Sequence, residues 1–278
     1  MSIDMTVHAT APQPETGSEM DRRAAFCLEI ARSAGAVALD GFRNRKPGFG
    51  MKGPQDFLTE TDAAVERHLK ARISAEFPED GFLGEEGGGA IRSDIWVVDP
   101  IDGTANFARD IPHFCIAIAF VSNGETEIGA IYNPVLDELY FARRGHGGTR
   151  NGKPLSVART RDFDSACVEF GWSNRKTNER YLDVLSNILE RGANVRRGAS
   201  GALGLAYVAD GRSDAYAELH MHAWDCLAGL LMVKEAGGVV APFLSLSGLT
   251  EGGAVLAAAP GVALGMSEAT GIALEAGK

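Results

Sequence analysis

Ile95-Trp96-Val97-Val98-Asp99-Pro100-Ile101-Asp102-Gly103-Thr104-Ala105-Asn106-Phe107 is the densest stretch of the chain. The apolar run Ile95 to Val98 reads as a short buried strand that delivers an acid at its carboxyl end, where sites are commonly built. Asp99 and Asp102, three residues apart, leave this strand and enter a turn that can begin a helix. Carboxylates so placed can converge on a hard, oxygen-seeking cation. Gly103 permits close backbone approach, and amides at a helix start would seat a phosphate or another anion. A capped turn accounts for the same residues, so this stretch alone leaves both readings open.

Residues 1 to 18 read as a flexible tail. From Asp21 to about Phe42, Cys27, Ile30, Ala31, Ala34, Val37 and Ala38 recur at helical spacing. Gly48, Gly50, Gly53 and Pro54 then mark a loop before a second helix, Thr59 to Phe77, with Val65, Leu69, Ile73 and Phe77 as its apolar stripe. Thr59 and Asp62 resemble a capping pair at its start. Gly84 to Gly89 is a mobile loop on composition. Beyond the acidic turn, Cys115–Val121 and Glu127–Tyr132 flank Asn123-Gly124, a strong hairpin signal. Glu138–Ala142 adds a strand, and Arg150-Asn151-Gly152-Lys153 a further turn. Helices followed by a meander give α+β for residues 19–160. After Asp164 strands and helices alternate: Ala166–Phe170, Tyr181–Arg191, Ser200–Ala209, Asp214–Leu219 and Asp225–Ala236. This half, 161–278, reads as α/β.

Composition narrows the function. Hydrophobic residues at 45% and charged residues at 23% of 278 describe a folded globular chain. Its 27 basic and 37 acidic residues leave −10, which disfavours binding to a nucleic-acid backbone. No apolar run approaches the roughly 20 residues that cross a bilayer, and the N-terminal residues lack a signal-peptide pattern. Cytoplasmic residence is the expectation. Cys27, Cys115, Cys167 and Cys226 are widely spaced and read as reduced core thiols. In Gly145-His146-Gly147-Gly148, Arg150 stands where a dinucleotide-binding G-x-G-x-x-G needs its last glycine, leaving a hairpin connection.

Two distant segments bear on the acidic turn. Gly84-Glu85-Glu86-Gly87 sets acids in a glycine-rich loop, and Trp224-Asp225 sets an acid where a strand–loop run enters a helix. Taken singly, these read as a solvated loop, an N-cap for Asp225 and core packing for Trp224. Taken together, G-E-E, D-P-I-D-G-T-x-N-F and W-D-x-x-A-G resemble the signature set of the inositol monophosphatase family, the lithium-sensitive, magnesium-dependent phosphomonoesterases. The resemblance runs from about Asp21 to the C-terminal region. It implies a layered αβαβα sandwich, a homodimer, and a small phosphorylated polyol as partner, most simply myo-inositol monophosphate.

Carried over by position, the resemblance implies Glu85, Asp99, the carbonyl of Ile101, Asp102 and Asp225 as ligands of two to three Mg²⁺. Asp62 and Thr104, with Glu85, would orient and deprotonate the attacking water. Gly103 and Thr104 would supply phosphate-binding amides. Asp102, Ser200, Gly201, Glu218 and Asp225 would meet the substrate, and Lys52 stands near the entrance. His220 and His222, alternating with Met221, are expected to face opposite ways, with one lining the site. His220 and Leu227 depart from the family pattern at positions expected to shape the pocket. A phosphate monoester dianion repels hydroxide, so such an enzyme must neutralise phosphoryl oxygens and generate a nucleophile near neutral pH; metal ions do both without a covalent intermediate. Covalent routes find no support at the acidic turn, where the spacing is D-x-x-D rather than the D-x-D of aspartyl-nucleophile phosphatases, and none of the four cysteines begins a C-x5-R. The remaining alternatives are histidinol-phosphate phosphatase or another sugar phosphatase of the family. Fructose bisphosphatase and phosphoadenosine phosphate phosphatase are disfavoured, since the sequence shows no dedicated second anion or adenine pocket. A regulatory or scaffolding protein that retains the fold is the alternative from another class.

Overall fold

The Ser18 side chain accepts the Asp21 amide at 3.1 Å and Asp21 accepts the Ser18 amide at 2.8 Å, a reciprocal cap that starts α1 (Glu19–Arg43). The computed structural model describes residues 18–44, 50–53 and 56–275; the rest of the expected tail and the Lys52 side chain lie outside the described residues. Strands β1 (Gly50–Gly53) and β2 (Asp56–Leu58) pair antiparallel and lead into α2 (Glu60–Glu76). The Thr59–Asp62 cap is formed, with the Thr59 amide donating to Asp62 at 2.9 Å.

A seven-stranded sheet follows, ordered as in the chain: β3 (Gly81–Gly84), β4 (Asp94–Asp102), then, past the short helix α3 (Thr104–Phe107), β5 (Cys115–Ser122), β6 (Glu125–Asn133), β7 (Glu138–Arg143), β8 (Gly148–Arg150) and β9 (Lys153–Pro154). Only β3 and β4 run parallel. The β5–β6 hairpin turns at Asn123 and Gly124, with φ of 50° and 80°, the left-handed pair that Asn-Gly supplies cheaply. The remainder holds β10 (Cys167–Phe170), α4 (Asn178–Glu190), β11 (Asn194–Arg196), α5 (Gly201–Ala209), β12 (Ala215–Met221), α6 (Ala223–Glu235), β13 (Val239–Val240), α7 (Gly248–Glu251), β14 (Gly253–Ala258) and α8 (Pro260–Thr270). Its five strands are ordered β11-β10-β12-β14-β13; β11, β10 and β12 are parallel.

The layers follow from β4, which is apolar on both faces. Trp96 and Val98 pack toward α1 and α2, while Ile95 and Val97 join the core that α5 and α6 share with both sheets. Full burial of each such side chain contributes about 1.5–3 kcal/mol. With α4 and α8 against β11, β12 and β14, the architecture is αβαβα. Among the described residues no helix is long and apolar enough to cross a membrane.

Candidate metal-binding active site

Between Asp99 and Asp102, β4 advances three residues while β5 advances two, from Ala117 to Cys115. This bulge frees the strand end from the period-2 alternation and lets two acids separated by an odd interval approach one point. One carboxylate oxygen each from Asp99, Asp102 and Asp225 lies within 4.8 Å of the others. Asp225 arrives from α6, where its side chain accepts the His222 amide at 2.9 Å. It is the third helical residue and His222 is the cap, which corrects the expectation of an N-cap at Asp225.

Each acid has its own support. Asp99 is 2% exposed and accepts the Ile101 amide at 2.9 Å. Asp102 accepts the amides of Gly201 at 3.1 Å and Ala202 at 2.9 Å, together with the Ser200 hydroxyl and, at 3.6 Å, the Cys115 thiol. Burial, then the charges of Glu85, Asp102 and Asp225, push the Asp99 carboxyl well up; burial, Glu85 and Asp102 do the same to Asp225. Burial also raises Asp102, opposed by its hydrogen bonds. Two buried carboxylates and a half-buried third, crowded together and all hard oxygen donors, are the donor set that a divalent cation such as Mg²⁺ fits.

Thr104 Oγ1 lies 3.1 Å from Asp62 Oδ1 and 2.9 Å from the Ile101 carbonyl oxygen. Its single proton serves one acceptor at a time. Burial pushes the Asp62 carboxyl up to about 6, assisted by the charge of Glu86 and opposed by hydrogen bonds from Thr59 and Thr104. Gly103 adopts φ 94°, and a Cβ there would stand 3.0 Å from the His113 carbonyl oxygen and 3.2 Å from Ser200 Cβ. The motif's glycine is thus required by both conformation and space.

These groups open into a cleft of about 820 Å³ whose lining includes Glu85, Asp102, Gly103, Thr104, Ser200, Gly201, Glu218 and Asp225. Glu218 accepts the Tyr216 hydroxyl at 2.6 Å, and burial raises its carboxyl to about 7. Glu85 stands on a loop that is tied down rather than loose: Gly84 and Gly88 exchange backbone hydrogen bonds of 3.2 and 3.1 Å, and Glu66 accepts the Glu86 amide at 2.8 Å. Glu66 carries no motif signal; a buried acid one turn after Asp62 in α2 is the only cue.

Three further expectations are corrected. His220 and His222 both line the cleft, their rings 5.3 Å apart, because residues two apart on an extended segment share a face. Trp224 packs against the core, as its type suggests, but only in part: it is half-buried and also stacks on His222 at 4.5 Å in the cleft lining. Leu227 faces a different cavity of about 180 Å³, beside Leu230, Leu231 and Phe243, so its departure from the family pattern does not shape the acidic cleft. Trp172, Arg175 and Arg197 are cleft residues that the sequence did not single out.

An αβαβα sandwich with a carboxylate trio at its cleft defines the inositol monophosphatase and fructose bisphosphatase type of fold. A model of the inositol monophosphatase family matches residues 19–266, and the chain belongs to that family. It is 38% identical over 221 residues to the protein named Nus factor SuhB of Xylella fastidiosa, covering 78% of this chain and 80% of that one. It is 40% identical over 193 residues to inositol-1-monophosphatase of Rhizobium meliloti, covering 68% and 73%. The solved structure of extragenic suppressor protein suhB from Bartonella henselae matches at TM-score 0.83 and 30% identity, over 90% of this chain and 98% of that one. Inositol monophosphatase from Anabaena matches at TM-score 0.80 and 30% identity, over 92% and 98%.

Proposed function

We propose that the protein hydrolyses phosphate monoesters of small polyols, with myo-inositol monophosphate as substrate, in a Mg²⁺-dependent reaction without a covalent intermediate. The observation that carries this reading is the convergence of Asp99, Asp102 and Asp225 within 4.8 Å at a large cleft. Asp99, Asp102, Asp225, Glu85 and the Ile101 carbonyl would hold two to three Mg²⁺. When bound, Mg²⁺ supplies neutralisation of the phosphoryl oxygens and acidification of a water.

The chain's own residues do the rest. Thr104 orients the water through its hydroxyl and Asp62, whose carboxyl sits at about 6, receives the proton, a basicity matched to neutral pH. The amides of Gly103 and Thr104 face the phosphate at the start of α3. Ser200, Gly201 and Glu218, with Asp102 and Asp225 beside them, meet the polyol hydroxyls. The same reading carries a cytoplasmic homodimer; the four unpaired cysteines agree with a reducing compartment.

The test is phosphate release from inositol monophosphate, histidinol phosphate, fructose bisphosphate and phosphoadenosine phosphate. Inositol monophosphate is expected to turn over with Mg²⁺, to stop with EDTA and to slow with Li⁺. Hydrolysis indifferent to chelation overturns the mechanism. A second reading, regulation through a protein partner, is favoured by the relatives named Nus factor SuhB; silence across the whole panel would leave it standing alone.

A further inference from the structure

Tyr216 and Glu218 lie two residues apart on β12, so their side chains leave the same face of the sheet. The Tyr216 ring, 3% exposed, packs against the start of α5, where Gly201 and Gly204 stand one above the other and give it room. A Cβ at Gly204 would stand 2.6 Å from the ring's Cδ2, and one at Gly201 3.0 Å from the hydroxyl oxygen. With the ring so fixed, the hydroxyl donates to Glu218 Oε2 at 2.6 Å. Gly171, the residue after β10, closes the other side. Its amide donates to the Ala217 carbonyl at 2.9 Å, and a Cβ there would collide with Glu218 Oε2 and stand 2.7 Å from the Tyr216 hydroxyl oxygen.

One oxygen of Glu218 is thereby committed and the other is not. Oε2 lies between the Gly171 backbone and Tyr216, while Oε1 accepts no hydrogen bond among the described residues and stays accessible in the cleft lining. Burial carries the Glu218 carboxyl to about 7, and the Tyr216 hydrogen bond is the largest influence opposing that rise. The hydroxyl therefore favours the ionised carboxylate, the form with most capacity to accept from an alcohol. Ordering a glutamate side chain when a ligand binds costs conformational entropy, and a side chain already held has lost that entropy in folding.

We propose that Tyr216 and Gly171 are positioning residues for polyol recognition: they hold Glu218 so that Oε1 alone meets the substrate's hydroxyls. This rests on the hydrolase reading above and deepens it. The acids around the proposed metal site act on the phosphate, while the fixed orientation of Glu218 selects a hydroxylated alcohol portion over a plain one. A tyrosine that serves packing alone, its hydroxyl satisfied by a convenient acceptor, is the competing account.

The experiment measures kcat and KM, with Mg²⁺, for inositol monophosphate and for p-nitrophenyl phosphate, an ester without polyol hydroxyls. Tyr216→Phe keeps the ring against α5 and removes only the donor. The ratio of the two kcat/KM values is expected to fall about tenfold, the scale of one charge-assisted hydrogen bond, through KM for inositol monophosphate rather than kcat. Gly171→Ala crowds Oε2 from the opposite side and is expected to give a loss of the same kind; it carries the test should the tyrosine variant not fold. In a Glu218→Gln background neither substitution is expected to change the ratio further. An unchanged ratio in either variant, whether or not both activities fall together, overturns the positioning role, as do losses that add to that of Glu218→Gln. Calorimetric binding of inositol monophosphate separates this inference from the hydrolase reading. Binding that Tyr216→Phe weakens about tenfold with no phosphate release overturns hydrolysis alone, release with an unaltered ratio overturns positioning alone, and neither binding nor release overturns both.

Discussion

The Asp102 carboxylate accepts the Ala202 amide at 2.9 Å, so the last residue of β4 caps the first turn of α5 a hundred residues further on. The Gly201 amide and the Ser200 hydroxyl join it. A helix N-terminus favours a negative charge, and charge-assisted bonds of this kind contribute about 1.5–3 kcal/mol each. They offset part of the cost of burying the acid. They also set the position of α5 relative to the end of the seven-stranded sheet, so the same bonds hold the fold and the proposed metal ligand.

Ser200→Ala removes the hydroxyl while leaving the two amides. The expected result is a chain that folds, loses about 1 kcal/mol of stability, and needs roughly tenfold more Mg²⁺ for half-maximal phosphate release, as removal of a residue that orients a ligand commonly does. Mg²⁺ titration of initial rates checks it; an unchanged half-saturation would remove Ser200 from metal positioning.

Asp99→Asn should separate activity from stability. Turnover is expected to fall by about 10²–10³-fold or more, since the variant loses a charge at the reacting centre. The metal-free protein should nevertheless melt higher, by about 2–4 °C for each kcal/mol gained in a chain of this size, because one of three mutually repelling carboxylates, itself buried, is gone. A lower melting temperature in EDTA would contradict the charge account.

The same repulsion sets a pH dependence. Burial carries Asp62 from 3.8 to about 6 and Glu218 from 4.5 to about 7, and Asp99 and Asp225 also move up. Since the folded values exceed the unfolded ones, the folded chain holds more protons over this interval, and these groups favour folding most at acid pH, losing that contribution as pH rises through about 6 to 7. In EDTA, scanning calorimetry should give a lower melting temperature at about pH 8 than at about pH 5 if these groups dominate. Saturating Mg²⁺ should raise the pH 8 value more than the pH 5 value, because bound metal competes with protons for the carboxylates. Equal increments at both would argue against metal binding by these acids.

Much of the site was legible in the sequence because its motifs are local. The Asn123-Gly124 turn, the Thr59–Asp62 cap and the alternation after Asp164 are short-range signals, and the chain reports them directly. The bulge between Asp99 and Asp102 left no such mark, nor did the pairing of Asp102 with Ala202, since both depend on which distant strand or helix arrives. Trp224 reads as a core residue by type, yet it forms part of the cleft because α6 begins there. The anchoring of the glycine-rich loop was equally hidden: composition predicted motion at Gly84–Gly89, whereas Glu66 supplies the restraint from another element.

Glu66 is therefore the last residue whose substitution is informative. It is 6% exposed, accepts the Glu86 amide at 2.8 Å, and lies against Gly87, where a Cβ would stand 2.6 Å from its Oε1. It does not belong to the acid trio, so it acts on the proposed metal site only by fixing the loop that carries Glu85. Glu66→Gln keeps an acceptor for the amide and should retain most Mg²⁺ affinity. Glu66→Ala should release the loop and weaken Mg²⁺ binding by about 10–100-fold, with faster amide hydrogen exchange confined to residues 84–89. Equal effects of Gln and Ala would point to charge rather than anchoring, and unaltered exchange in the Ala variant would remove the link between Glu66 and the loop.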